Sequence, residues 1–459
     1  MNVDVVVIGG GISGAYIANS MDTLGKNFVL LEASYKVGGR HLTVKKDDEV
    51  LYEAGAWRVH SSHSRILDLL KKLNMSVRKL EPQKKRPPVE KIKGLSALDT
   101  LLLKNDGDVE KSFREERETG YEGGLDADST SHPYMVEGDK GEYFVVDQGQ
   151  EEIIDKLLEK IDKKRILTHH RVQDIQKKKE KYLIEVLVEK QNGEIAKKFF
   201  KADHVFSCVA QFDAWSWTVV QKYLYPLLNS VKPHPLNHIY ATGEKPKDFK
   251  SLRVQPDFVL QQTIAPTNDE EWYQVSYSAG RIAEFWYRYR LKYGDTKLKK
   301  LVEKLSGRKL QKVESYFWSH AYHLWIPTPQ FDIKKNVQNS IVPNPVFLPN
   351  FRWAGECFSS YQGWSEGALE TAELALMDFI AKGTGFCPIY KKVPEKYTEY
   401  MIFDKTILDV KSWKNTHPGS KALIVKHLGE DISERFRFIK HSELSWASLF
   451  SLRVGFLES

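Results

Sequence analysis

Cysteine is almost missing from this chain. Its 459 residues hold three, Cys208, Cys357 and Cys387, and their spacing makes neither a disulfide framework nor a cysteine-based metal site. That excludes a small disulfide-held secreted domain and fits a reducing compartment. No run of about eighteen apolar residues occurs, so no membrane span is expected. Strand-forming residues begin at Val3, which leaves no room for a signal peptide, and a cytoplasmic protein is expected. Charge of one sign is not in large excess: 68 basic residues face 61 acidic ones, for a net +7. This describes a lysine-rich solvated surface and not a nucleic-acid groove. Hydrophobic content of 41% beside 28% charged residues belongs to a globular protein. The length predicts two or three domains.

The chain is organised around its first forty residues. Val3 to Ile8 is a β-branched run that reads as a buried strand, and it ends in Gly9-Gly10-Gly11-Ile12-Ser13-Gly14. Ala15 to Leu24 then has apolar residues at helical spacing, and a second apolar run, Phe28 to Leu31, closes on Glu32. Strand, glycine turn, helix, strand and acid together make a dinucleotide-binding unit. Gly9 permits the turn, Gly11 lets a pyrophosphate approach, and Gly14 lets helix and strand pack closely. The phosphates meet free N–H groups at a helix start, and Glu32 is placed to accept hydrogen bonds from ribose hydroxyls.

The continuation Leu31-Glu32-Ala33-Ser34 to Gly38-Gly39-Arg40 resembles the flavin-containing amine oxidase superfamily of monoamine, polyamine and L-amino-acid oxidases. That resemblance implies FAD, with Gly39 and Arg40 around its pyrophosphate. Glu53-Ala54-Gly55-Ala56-Trp57-Arg58-Val59-His60 is similar to the family's second FAD segment, with Ala56 passing under the flavin. In L-amino-acid oxidases an arginine at the position of Arg58 pairs with the substrate carboxylate. In polyamine oxidases a histidine at the position of His60 faces the amine. Arg58 has the rigid fork that matches a carboxylate, yet an arginine or histidine satisfied within the fold reads the same way. Val172 falls where the family contacts adenine through the backbone.

Trp353-Ala354-Gly355-Glu356 and Gly363-Trp364-Ser365-Glu366-Gly367 resemble a later pair of family segments. The resemblance places Glu356 on the ribityl-phosphate side, and Gly363 at the start of a last helix aimed at the flavin. Trp364 becomes a wall of the substrate slot, with Tyr361 beside it. His238, in Leu236-Asn237-His238-Ile239, stands where many family oxidases carry a lysine near flavin N5. No lysine fits there, which puts rapid reaction with oxygen in doubt. No cysteine lies where monoamine oxidases attach flavin, so FAD is expected to be non-covalent.

The expected fold is α/β and α+β. A Rossmann-like FAD-binding domain (1–80, 142–210 and 332–381) interleaves with a substrate-side insertion (81–141) and a substrate domain (211–331). Within the last of these, Thr296 to Leu305 reads as a helix. Phe285-Trp286-Tyr287-Arg288-Tyr289-Arg290 reads as a sheet face and not a nucleic-acid stripe. The Lys84-Lys85-Arg86-Pro87-Pro88 run reads as a charged loop.

A connector, 382–394, leads to a second module over 395–459. His417-Pro418-Gly419 and His441-Ser442 lie 24 residues apart, with Leu423, Leu428, Phe436 and Ile439 near them. This resembles cytochrome b5, a small α+β domain whose two histidines clamp haem b iron from opposite faces. Such iron has no open site and passes single electrons. Ser420 and Lys440 stand where that family tends to have glycine, and its usual N-terminal helix is missing. A haem-free docking module is the competing reading.

The sequence therefore predicts an FAD-dependent oxidoreductase that removes hydride from a small amine or amino acid, and passes electrons to oxygen or to the fused haem. A redox partner protein could meet the haem domain. The competing readings are an FAD-dependent desaturase, or a non-catalytic flavin and haem scaffold.

Overall fold

The structure, a computed structural model, describes residues 1–80, 92, 94–112, 141–246, 253–254, 259–264, 271–381, 388–439 and 441–458. Most of the expected insertion, the Lys84–Pro88 run, Cys387, Lys440 and residues 382–387 of the connector lie outside the described residues.

Val5, Val6 and Val7 are fully buried, as expected of a strand covered on both faces. The strand Asn2–Ile8 runs parallel to Phe28–Leu31 on one side and to Ile195–Ser207 on the other. Two antiparallel strands, Lys181–Glu189 and His170–Lys178, extend that sheet, and Phe351–Trp353 joins it beside Ile195–Ser207. The helix Ile12–Thr23 crosses close above the glycine turn. A Cβ on Gly14 would lie 1.9 Å from the Gly9 carbonyl oxygen, so only glycine allows this approach. The Ser13 hydroxyl donates to the Ala368 carbonyl (3.1 Å), tying this helix to the later helix Ser365–Ile380.

A second sheet holds Val231–Gly243 between Tyr273–Ala279 and Leu310–Trp325. Across it lies a helix, Gly280–Ser306, kinked at Gly294 where φ is +77°. The expected helix over 296–305 is therefore only its second half. Residues 285–290, expected on a sheet face, are helical instead. Trp286 is buried with its indole N–H on the Val259 carbonyl (2.9 Å), while Phe285 and Tyr287 on either side are exposed. The aromatic run makes a one-sided helix, because a single anchoring ring decides which side is buried.

The terminal module has a four-stranded sheet, ordered Ile389–Tyr390, Arg453–Leu457, Thr406–Asp409, Tyr400–Phe403. Its first strand falls within the stretch read as connector. Three helices follow at Lys421–Lys426, Ser433–Phe438 and Glu443–Leu452. The last of these belongs to both modules. Phe450 stacks on Trp325 with ring centroids 6.3 Å apart, inside the core beneath the main sheet. Lys335 donates to the Ser451 carbonyl (3.0 Å), and the Thr328 hydroxyl to that of Ser451 (3.0 Å). Arg453 is 4% exposed and donates to the carbonyls of Asn339 and Pro343. These lie at the end of the helix Ile333–Ile341, where the helix dipole favours a cation. Among the described residues, no helix is long and apolar enough to cross a membrane.

Candidate active site and haem slot

One cavity of about 560 Å³ runs from the glycine turn into the second sheet. Of the residues expected to hold FAD, Gly9, Gly11, Glu32, Gly39, Arg40, Ala56, Val172, Glu356, Gly363 and Trp364 line it, and Gly14 lies behind the turn. Glu32 is held by the N–H groups of Gly10 (2.7 Å) and Ser34 (2.8 Å), which fixes its carboxylate at one end.

Midway, Arg40 Nη1 reaches Glu356 Oε2 at 2.6 Å and the Ala321 carbonyl at 2.9 Å. Glu356 also accepts from the N–H groups of His323 and Gly363, each at 2.8 Å. Burial alone would raise its pKa, but Arg40 and His323 outweigh it and hold the carboxyl well below the usual carboxylate range. The group is ionised and joins both halves of the flavin-side wall. His323 carried no motif to reveal it, since its role depends on pairing across 33 residues.

At the far end stand Trp57, Arg58, Leu236, His238, Tyr277 and Trp364. The Arg58 guanidinium lies 4.5 Å from the Trp57 ring, 4.8 Å from Tyr143 and 5.9 Å from Trp364. It sits in an aromatic box that stabilises a cation. Among the described residues, the carboxylates lining the cavity are Glu32, Asp213 and Glu356, and none belongs to this end. His60 and Tyr361 do not reach the wall. The His60 ring packs edge-on to Tyr143 (5.0 Å), with Nδ1 on the Ser62 hydroxyl (2.7 Å). Tyr361 packs against His63, which in turn backs Trp364 at 4.8 Å. Trp57 adjoins Arg58 in the sequence and Tyr143 is far from it, and only the fold turns both rings onto Arg58.

In the terminal module the two histidines come together. The His441 pKa is lowered by burial first and by His417 second, so the imidazoles lie within electrostatic reach of each other. Phe436 stacks on His441 at 3.9 Å, and Trp413 stands edge-on to His417 at 4.7 Å. His417 Nδ1 is 3.2 Å from the Ser420 carbonyl, the second contact that orients a metal-binding imidazole. Leu423, Phe438 and Ile439 are left exposed nearby, as apolar groups that a macrocycle would cover. His427 is no rival ligand, because its nitrogens engage Glu430 and Arg435.

Both modules have counterparts among known proteins. The sequence model of the flavin containing amine oxidoreductase family matches residues 12–104. That of the cytochrome b5-like heme/steroid binding domain matches residues 390–458. The chain joins the fold of the flavin-containing amine oxidases to a cytochrome b5-like domain. Over 78 residues it is 42% identical to amine oxidase A of Sus scrofa, and over 77 residues 40% identical to amine oxidase B of Homo sapiens. Each match covers 17% of this chain and 15% of the relative. Wild-type putrescine oxidase bound to putrescine superposes with a TM-score of 0.60 at 14% identity, covering 83% of this chain and 99% of that one. A triple mutant of putrescine oxidase, redesigned in its cofactor binding, gives 0.62 at 13% identity over the same shares, a likeness of fold. The two families imply FAD and haem, and the cavity and the histidine pair fit them.

Proposed function

We propose that the protein is an FAD-dependent oxidoreductase whose substrate is an amine carrying a carboxylate, an amino acid or a close analogue. What supports this is Arg58 in the cavity wall, its guanidinium set among the rings of Trp57, Tyr143 and Trp364. Arg58 would bind the substrate carboxylate through two parallel hydrogen bonds. Trp57, Tyr143 and Trp364 hold its guanidinium in place. A diamine such as putrescine, seen bound to the similar fold, offers no carboxylate to this fork. Bound FAD supplies the hydride acceptor, and haem held by His417 and His441 supplies a one-electron exit. Support for an exit within one molecule comes from the helix Glu443–Leu452, which ties the haem slot to the core under the flavin cavity.

Anaerobic flavin bleaching with the common L-amino acids, their decarboxylated amines and putrescine tests this. At least one amino acid should bleach the flavin far faster than its amine, and putrescine should leave it yellow. Arg58→Gln should remove about 2 kcal/mol or more of that preference while FAD stays bound. Equal bleaching by acid and amine would make Arg58 a structural residue. No bleaching by any of them would favour the scaffold reading.

A further inference from the structure

The helix Gly280–Ser306 is rooted by one side only. Trp286, Leu298 and Val302 are buried in one core with Ile239, Val275 and Leu310 of the second sheet. On its outer surface large apolar groups stand in water: Leu291 is 68% exposed, Tyr293 48% and Phe285 39%. The rings of Phe285, Tyr289 and Tyr293 follow one another a turn apart, with centroids separated by 5.8 and then 4.7 Å. They border an open groove that Arg281, Arg288 and Lys292 also line. Single exposed apolar residues are ordinary, but a row of them on one helix marks a surface that meets something.

The charge says what it meets. This helix carries eight basic residues against three acidic ones, Glu284, Asp295 and Glu303, in a chain whose net charge is +7. The acids are engaged: Glu284 with Arg288 (2.7 Å), Asp295 with Arg290 (2.6 Å), and Glu303 with the Leu310 N–H (3.0 Å). Among the described residues, Arg281, Lys292, Lys297, Lys300 and Lys304 make no ion pair. The last three are exposed and carry positive charge past the kink at Gly294. A single-stranded nucleic acid would stack its bases on rings, but Leu291, the most exposed of these groups, gives a base nothing to stack on. An anionic bilayer takes both kinds of group at once. Its phosphate oxygens meet the cations in the headgroup layer, and the apolar side chains enter the layer below.

We propose that the face of Gly280–Ser306 carrying Phe285, Leu291 and Tyr293 docks this protein on an anionic phospholipid bilayer, lying in the headgroup layer without crossing it. The inference is independent of the reaction proposed above. It does bear on the cavity: Tyr287 stacks on Phe317 at 4.2 Å, with 12° between the ring planes, and Phe317 lines the cavity. Docking by this helix holds that wall of the cavity close to the lipid.

Sedimentation of the whole chain, with its cofactors bound, together with sucrose-loaded vesicles tests the inference. Vesicles of phosphatidylcholine with about one-third phosphatidylserine should bind about tenfold or more tighter than phosphatidylcholine alone. The difference should shrink as salt rises from about 0.1 to 0.5 M. Leu291→Ser should weaken binding to the anionic vesicles about tenfold. Arg281→Gln with Lys292→Gln should weaken it about twentyfold, since each cation near such a surface contributes a factor of about five. Melting temperature and flavin content should hold in both variants, because these side chains lie outside the core. Equal binding to neutral and anionic vesicles, binding to neither, or either variant binding the anionic vesicles as tightly as wild type overturns the inference. So does a preference for single-stranded RNA or polyglutamate over the vesicles, which would make the helix a site for another polyanion.

Discussion

Ser420 has φ +105° and ψ 145°, in a region that only glycine enters without strain. Its carbonyl faces His417 Nδ1, so the strained turn is also what aims the histidine. Strain of this kind costs about 1–3 kcal/mol. Replacement by glycine loses a weak cap to the Leu423 N–H (3.4 Å) and adds chain entropy to the unfolded state. Ser420→Gly should therefore stabilise the terminal module by about 1 kcal/mol net, read as a higher denaturation midpoint with haem content unchanged. A lower midpoint would mean that the turn relaxes another way. Arg58 and His60 show how little separates a wall residue from a buried one. Both stood in one motif, two residues apart, but Val59–His60 pairs with Tyr143–Phe144. Tyr143 stands between His60 and Arg58, with its ring against both.

At the scale of elements, the helix Glu443–Leu452 carries the junction. Trp446 packs at 4.9 Å on Phe436, which backs His441, and at 4.8 Å on Tyr225 of the larger module. One turn later Phe450 enters the other core. Phe450→Ala should cost about 3–5 kcal/mol, and calorimetry should show flavin release and haem-module melting falling together. If only the haem module weakens, the two melt independently. This helix shows where sequence reading stops. The glycine turn and the strand before it were legible because part of their packing is local: Gly14 answers to the Gly9 carbonyl a few residues away. His417 and His441 were singled out by their separation in the sequence alone. The junction was not legible, because nothing in an apolar helical stretch says which of two cores it enters. The aromatic run at 285–290 misled for a related reason, since rings alternate with polar groups on sheets and one-sided helices alike.

Across the whole molecule, one cavity reaches from Glu32 to His238, and the haem slot is fixed to the core beneath it by Phe450 and Arg453. A module docked this way does not depend on connector length for access to the flavin. Among the described residues, no lysine lines the cavity. The most direct test is anaerobic mixing of holoprotein with the amino acid that bleaches it fastest, following the flavin and haem bands together. Flavin should bleach first, and haem should then turn ferrous at a first-order rate that is the same at every protein concentration. Haem that stays ferric beside bleached flavin, or that reduces faster as protein concentration rises, would contradict amine oxidation coupled to haem within one chain.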